Sequence, residues 1–409
     1  MTETTQAPAR SGPAATGVAR GLAAPRGEAD LALRQARWGF VPSLDDPVIP
    51  GALAQRLGLR PGHEVEGRLE GDGADEGPVV AAIERVDGLA PEVAARKPAL
   101  EGLTRRGAGR RLHLAGRQGV EGPLVRAVDA LAPLALGGRL RIAGARGAGR
   151  SRAFAAVVRA LGERLPDARL VLLLAHGRPE EVTAWRRSAP RADVLAAPGE
   201  LDPTLALVVV DLALARVARL VEAGRDVILG VDALDLLARE LARAPDPLRG
   251  RPAPGPLRGR LEALTGSWEG AGSVTLVAVD APHATDGAKA ERPPPVPRPQ
   301  GGGSAVPDLR GAGRSAHAAA APTDDGAAVP RSTPARAPWA DLDAPAPGPE
   351  EAVLALRTGA PGAPPAVDLA ACRAPVGVHR TPDEEALVAA LAAAKDEDAA
   401  RALLGGPGS

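Results

Sequence analysis

From Gly138 to Val279 the chain repeats one unit, a short apolar run followed by a longer helical pattern, and this most constrains its fold. Short runs with no polar alternation are the mark of strands buried on both faces, and strands that alternate with helices build a parallel sheet. The pattern predicts strands at Gly138 to Ala143, Ala168 to Leu174, Asp226 to Val231 and Ser273 to Val279. Helices are predicted over Gly149 to Arg164, Arg178 to Arg187, about Pro203 to Ala223, and Ala233 to Arg243. The expected class is α/β, with the core of the fold over 138–280.

The flanks differ in texture. Residues 1–27, rich in Ala, Gly, Pro, Arg and Thr without periodicity, are expected to be a disordered tail. Over 28–96 short apolar segments alternate with turn signals, which predicts a small β-barrel or sandwich. Residues 97–137 read as a connector carrying a basic run from Arg105 to Arg111. Residues 281–350 hold 14 of the 42 prolines and are expected to be a disordered insertion. The core should resume over 351–409, where Thr381, Pro382 and Glu384 form a capping box before an Ala/Leu-rich helix that Gly405 and Gly406 would stop.

Composition excludes several classes. Fifty Lys plus Arg balance fifty Asp plus Glu, so any nucleic-acid face must be local. Only Lys97, Lys289 and Lys395 are lysines, and Asn and Tyr are absent, as GC-driven drift would produce. One cysteine, Cys372, excludes a disulfide framework and a thiolate zinc site. The most apolar stretch, Leu205 to Leu214, contains Asp211 and is too short to span a membrane, so a cytoplasmic protein without a membrane partner is expected.

The segment Gly144-Ala-Arg-Gly147-Ala-Gly149-Arg150-Ser151 has the spacing G-x-x-x-x-G-K-[ST] of a phosphate-binding loop, with Arg150 in the lysine position. Backbone N–H groups of such a loop cradle phosphates at a helix N-terminus, and the hydroxyl, here Ser151, joins the magnesium shell. A similar GAGRS at Gly311 to Ser315 lacks both the first glycine and a preceding strand. An ordinary glycine-rich turn is the competing reading of the first copy. Asp232, ending the apolar run DVILGVD, is the candidate magnesium carboxylate, and it could equally cap the following helix.

These residues bring the chain to a family. It resembles bacterial transcription termination factor Rho through RPEEVT (Arg178 to Thr183), DVILGVDALDLLARE, LGLRPGHEVEGRL, AGSVTLVAV and PAVDLAACR, in collinear order. The resemblance implies a RecA-like phosphate-loop domain behind an OB-type barrel, assembled as a homo-oligomeric ring, a hexamer, or as a mixed ring with an intact relative. It also implies ATP and Mg²⁺ as cofactors, and single-stranded RNA and the transcription machinery as partners.

The resemblance further implies that Trp38 and Phe40 stand where the family's aromatic pair stacks bases, unless both rings fill the barrel core. Val48 replaces a further stacking tyrosine. Arg249, Arg251, Arg258 and Arg260 occupy the altered channel loop and could bind phosphates or form a solvated basic loop. Arg373 is the candidate for the arginine that acts across subunits. Gly177 replaces the glutamate thought to orient the attacking water, Glu180 and Glu181 match glutamates the family already has, and Arg150 replaces a point charge by a planar fork.

These departures predict RNA and nucleotide binding with hydrolysis weak or lost. An active RNA-dependent ATPase and helicase, or a non-enzymatic interaction protein that retains the fold, are the alternatives.

Overall fold

The computed structural model describes residues 17–73, 77–114, 123–145, 147–175, 179–197, 202–241, 257–280, 351–357, 366–368, 371–375, 380–394, 399 and 402–404. The expected disordered insertion over 281–350 lies outside them, as do residues 1–16.

The first body is a closed five-stranded barrel. Its strands are β1 (Gly17–Arg26), β2 (Asp30–Arg34), β3 (Val48–Ile49), β4 (Glu64–Gly73) and β5 (Gly77–Val86), in the order β1-β2-β3-β5-β4. Antiparallel pairing of β1 with both β2 and β4 closes it. The expected tail therefore ends earlier than residue 27, because Gly17–Arg26 is a barrel strand. Its Gly/Ala/Arg composition reads as coil, yet Leu22, Ala23 and Ala24 are buried and its backbone is paired on both sides. A side chain at Gly21 would overlap the Arg34 carbonyl, so the glycine permits the close approach. The barrel core of Ala23, Leu31, Leu33, Ile49, Val65 and Val80, completed by Leu53 and Ala54 of helix α1 (Gly51–Arg56), contains no aromatic ring.

The second body is the expected α/β sheet. Strands β6 (Arg139–Gly144), β7 (Arg169–Ala175), β8 (Asp193–Ala197), β9 (Val227–Asp232), β10 (Ser273–Asp280) and β11 (Ala352–Arg357) run parallel in the order β8-β7-β9-β10-β6-β11. Successive residues point to opposite faces. Leu172 and Leu174 join Ile142, Phe154 and Val277 in one core layer, whereas Val171 and Leu173 join Leu229, Val231 and Leu276 in the other. β11 pairs with β6 from beyond residues 281–350, so the core resumes after that segment.

The expected connector is part of this body. Helix α2 (Pro123–Leu131) is buried in the first layer, and Arg105–Arg106 pairs with Gly266–Trp268 at the sheet's edge. Its basic run is largely occupied: Arg105 donates to the Glu262 carbonyl at 3.1 Å, Arg106 pairs with Glu269 at 2.5 Å, and Arg111 with Glu384 at 2.6 Å. Further along the chain come α3 (Arg150–Arg164), α4 (Pro179–Ser188), α5 (Pro203–Glu222), α6 (Leu234–Leu241), α7 (Leu257–Leu264) and α8 (Pro382–Ala393). The capping box is formed, with Thr381 and Glu384 each accepting the other's backbone N–H. The helix, however, ends at Ala393, before the expected stop at Gly405 and Gly406, which lie outside the described residues.

The two bodies are joined by buried charge. Arg216 of α5, 1% exposed, donates to Asp193 at 2.8 Å, to the Gly62 carbonyl at 3.3 Å and to Glu64 at 3.3 Å, and also pairs with Asp87. Arg60 of the barrel body makes a bidentate contact with Glu222 at 3.2 and 2.6 Å, and Glu222 also accepts from Arg219 and from the Leu100 N–H. Gly62, at φ 89°, lies so close to Ala215 that any Cβ would overlap its backbone.

Candidate functional site

β6 ends at Gly144 on the carboxyl edge of the sheet, beside β11. A Cβ there would come within 2.8 Å of the Leu356 carbonyl oxygen and 3.2 Å of the Ala148 Cβ, so only glycine lets the loop leave the strand at this angle. Gly147 at φ 84° and Gly149 at φ 79° then adopt the left-handed conformation that turns the chain into α3. The first turn of α3 carries no acidic residue, so its unpaired N–H groups and positive dipole end remain available to an anion. Ser151 is exposed in that turn, while Arg146 lies outside the described residues.

Asp232 ends β9, one strand away from β6 across β10. Burial, and secondly the charge of Glu181 on α4, push its carboxyl up to about 6, against the Ala233 N–H and the charge of Arg150, which favour ionisation. Asp232, Glu181 and Arg150 therefore lie within electrostatic reach of one another. The competing N-cap reading of Asp232 is not realised, since α6 starts at Leu234 and Ala233 supplies the carbonyl that receives the first helical bonds. Ala233 has φ 57°, a strained left-handed position for a residue with a Cβ. A buried carboxylate whose ionisation is disfavoured is relieved by a divalent cation, and Ser151 supplies a hydroxyl. The loop, the exposed serine and the aspartate thus fit a magnesium–phosphate ligand.

The side chain of Arg150 is drawn sideways. Its Nη1 donates to the Asp280 carbonyl at 2.8 Å, at the end of β10, and the buried Asp280 carboxylate is paired with Arg258 of α7. Sequence reasoning missed Asp280, for no spacing links it to a residue 130 positions away. It also set Glu181 aside, although Glu181 is a neighbour of Asp232 in charge.

Two of the candidate RNA arginines are corrected. LRGRLEAL forms the helix α7 instead of a loop, with Arg258 held by Asp280 and Arg260, 6% exposed, by Asp211 of α5. Arg249 and Arg251 lie outside the described residues, as does Gly177. Arg373 is exposed and exchanges both backbone hydrogen bonds with Val353, at 2.9 Å each, three residues (about 10 Å) back along β11 from Leu356 at the loop.

The aromatic pair is also separated. Trp38 and Phe40 sit in the β2–β3 connection, not on a barrel strand, and neither fills the barrel core. The Phe40 ring is 4% exposed and packs in the α/β layer around Leu195 and Leu100, so it has no free face for a base. Trp38 is 49% exposed, with the Arg37 guanidinium 5.3 Å from its ring centroid. Val48 is buried in β3. A separate groove of about 530 Å³ on the barrel is lined by Leu53, Arg56, Glu70, Val79 and Val80 among others, with no aromatic residue.

Fold and site define a class: an α/β protein with a phosphate-type loop and a strand-end aspartate on the carboxyl edge of a parallel sheet, and a β-barrel docked to its side. No protein-family model matches the chain. It is 32% identical over 213 residues to transcription termination factor Rho of Gemmatimonas aurantiaca, covering 51% of this chain and 28% of that protein. The Rho of Allochromatium vinosum is 30% identical over 211 residues, 51% of this chain and 50% of that one, and that of Streptomyces coelicolor 34% over 202 residues, 48% and 46%. The chain thus spans half or less of the length of these relatives. A solved ATPase of a type III secretion system shares 19% identity over 41% of this chain and 53% of that one, with a TM-score of 0.31, too low to bear on the fold. Over about half its length the chain is thus similar to Rho, as a divergent relative. Among the described residues no helix is long and apolar enough to cross a membrane.

Proposed function

We propose that this chain is a cytoplasmic RNA- and nucleotide-binding protein with an OB-type barrel and a RecA-like core, in which ATP hydrolysis is weak or lost. The observation that carries the nucleotide reading is the meeting of an acid-free helix N-terminus with Asp232, whose carboxyl is raised to about 6. Gly144, Gly147 and Gly149 would shape the backbone cradle for the phosphates, and Ser151 and Asp232 would hold magnesium, whose charge would offset that of the phosphates.

Binding through N–H groups does not depend on the side chain at 150, so it survives the replacement of lysine. Turnover asks for more, since phosphoryl transfer is driven by positioning and electrostatics. Gly177 has no side chain to orient water, and Arg150 is engaged with the Asp280 carbonyl. Each loss is worth roughly 10² or more in rate.

The relatives are transcription termination factors, and a ring of this chain, a hexamer alone or mixed with an intact Rho, acting on RNA at the transcription machinery, follows by analogy with them. Fluorescent ATP titrated with and without Mg²⁺ tests the site. Magnesium-dependent binding that Asp232→Asn abolishes is expected. Absence of magnesium-dependent binding in the parent would remove the nucleotide reading.

A further inference from the structure

A cleft of about 230 Å³ opens where the barrel body meets β8, the edge strand of the sheet. Its lining includes Arg37 and Phe40 of the β2–β3 connection, Arg186 of α4, Ala189 and Pro190 just beyond that helix, and Val194 of β8. A Cβ on Gly39 would lie 3.4 Å from the Arg186 Nη2, which puts that guanidinium at the seam between the two bodies. The lining combines apolar surface with two guanidinium groups and no carboxylate, and neither arginine has a carboxylate partner among the described residues. The seam arginines Arg60, Arg216 and Arg219, by contrast, are all paired with carboxylates. Arg187 and Arg191, both exposed, follow Arg186 closely in the chain and add positive charge. The one aromatic ring of the lining, Phe40, is 4% exposed and packed in the core, so the cleft offers no open ring face to a base.

The chain itself carries a tract of complementary chemistry. Between Arg336 and Glu351 there is no lysine or arginine, while Trp339 and Leu342 supply large apolar side chains and Asp341, Asp343 and Glu350 supply carboxylates. The tract leads into β11, and the register of the sheet fixes where that end is anchored. Ala352 pairs with Leu140, Leu140 with Val277, Val277 with Gly230, Gly230 with Leu172, and Leu172 with Val194. The first residue of β11 is therefore level with Val194 of the cleft, five strand spacings away in the sheet order, or about 24 Å. Asp343 lies nine residues before Ala352, with Pro345, Pro347 and Pro349 between them. At about 3.1 Å per residue for a Pro-rich chain, that tether spans about 28 Å from Asp343 and about 40 Å from Trp339. The acidic tract can reach the cleft.

We propose that residues 339–343 of this chain dock in the cleft, with Leu342 on its apolar surface and Asp341 and Asp343 paired with Arg37 and Arg186. Guanidinium–carboxylate pairs are charge-assisted and can be bidentate, which suits two arginines that lack a carboxylate of their own. A short tether holds its end at an effective concentration in the millimolar range, so modest contacts are enough to keep the tract seated. Docked there, the tract ties β11 at one edge of the sheet to the seam between β8 and the barrel at the other. The inference goes beyond the nucleotide and RNA readings and uses the residues of neither.

The test uses the full chain and a fluorescein-labelled peptide of residues 337–350. In the parent the tethered copy competes, so the peptide should bind weakly. In the double variant Asp341→Lys, Asp343→Lys the cleft is vacated, and the peptide should bind at least about 10-fold more tightly. Adding Arg186→Glu to the double variant should abolish that gain, whereas adding Arg186→Lys, which keeps the charge, should retain most of it. Raising salt from about 50 to about 500 mM should erase the difference between parent and double variant. Equal affinity of parent and double variant for the peptide would overturn the docking. So would absence of binding to the double variant up to about 1 mM, the concentration a short tether supplies. If the double variant gains affinity for single-stranded RNA but not for the peptide, and Arg186→Glu removes that gain, the cleft takes a nucleic acid and the docking of the tract is wrong.

Discussion

Asp232 is asked to be charged where burial disfavours the charge. Its folded pKa of about 6 lies above the ordinary 3.8, so ionising it costs the folded state free energy. The sign follows: no penalty below about pH 4, a penalty that grows between about 4 and 6, and the whole of it, about 3 kcal/mol as an upper figure, above that. Asp232→Asn should therefore melt at a higher temperature than the parent near about pH 8 and show no gain near about pH 4. An asparagine variant that is less stable at the higher pH would show that the carboxylate is instead satisfied within the protein. Phe40 and Trp38 make an opposed pair. Phe40→Ala should cost about 3 to 5 kcal/mol as a core truncation, whereas Trp38→Ala, exposed, should leave the unfolding free energy within about 0.5 kcal/mol of the parent. Equal losses would mean that both rings are structural. Their difference was not legible in RWGFVPS, because a turn places its side chains by backbone angles such as the φ of 63° at Phe40, which no periodicity announces.

Elements were legible in proportion to how much of their signal is local. DVILGVD and SVTLVAVD are buried on both faces and read as strands without context, and α5 is a long apolar helix. β8, the five residues DVLAA, and β1, GVARGLAAPR, went unread, since small residues there acquire their state from pairing with neighbours distant in the chain. The phosphate-loop spacing and Asp232 were visible as a motif, but the Arg150–Asp280 contact depends on strand order and could not be. The seam between barrel and sheet was likewise hidden, and it makes a prediction at this scale. Arg216→Ala would leave Asp87, Asp193 and Glu64 facing a buried vacancy and should cost about 3 to 5 kcal/mol. The His63 hydrogen bond and Arg216 outweigh burial and hold the Asp87 carboxyl near 2, below its ordinary 3.8. The stability it contributes is therefore present above about pH 4 and lost as pH falls towards about 2. Acid unfolding followed in parallel for Arg216→Ala and the parent checks this: the parent should show the steeper loss across that window, and identical acid limbs would mean that Asp87 is not held by Arg216.

At the scale of the whole molecule, the proposed function divides the chain's features into those that would bind and those that would limit turnover. Loop glycines, Ser151 and Asp232 are assembled on one edge of the sheet, and a barrel is locked against its side by Arg216 and Arg60. At the same time position 177 is glycine, and Arg150 is bound to the neighbouring strand end. On the proposed reading, nucleotide binding and hydrolysis are uncoupled. Steady-state ATP hydrolysis by the full chain, with and without single-stranded RNA, beside the Gly177→Glu, Arg150→Lys double variant, tests it most directly. The account predicts turnover near background in the parent with either condition and a rise of roughly 10² or more in the double variant. Robust RNA-stimulated hydrolysis by the parent would contradict it and identify the chain as a working RNA-dependent ATPase.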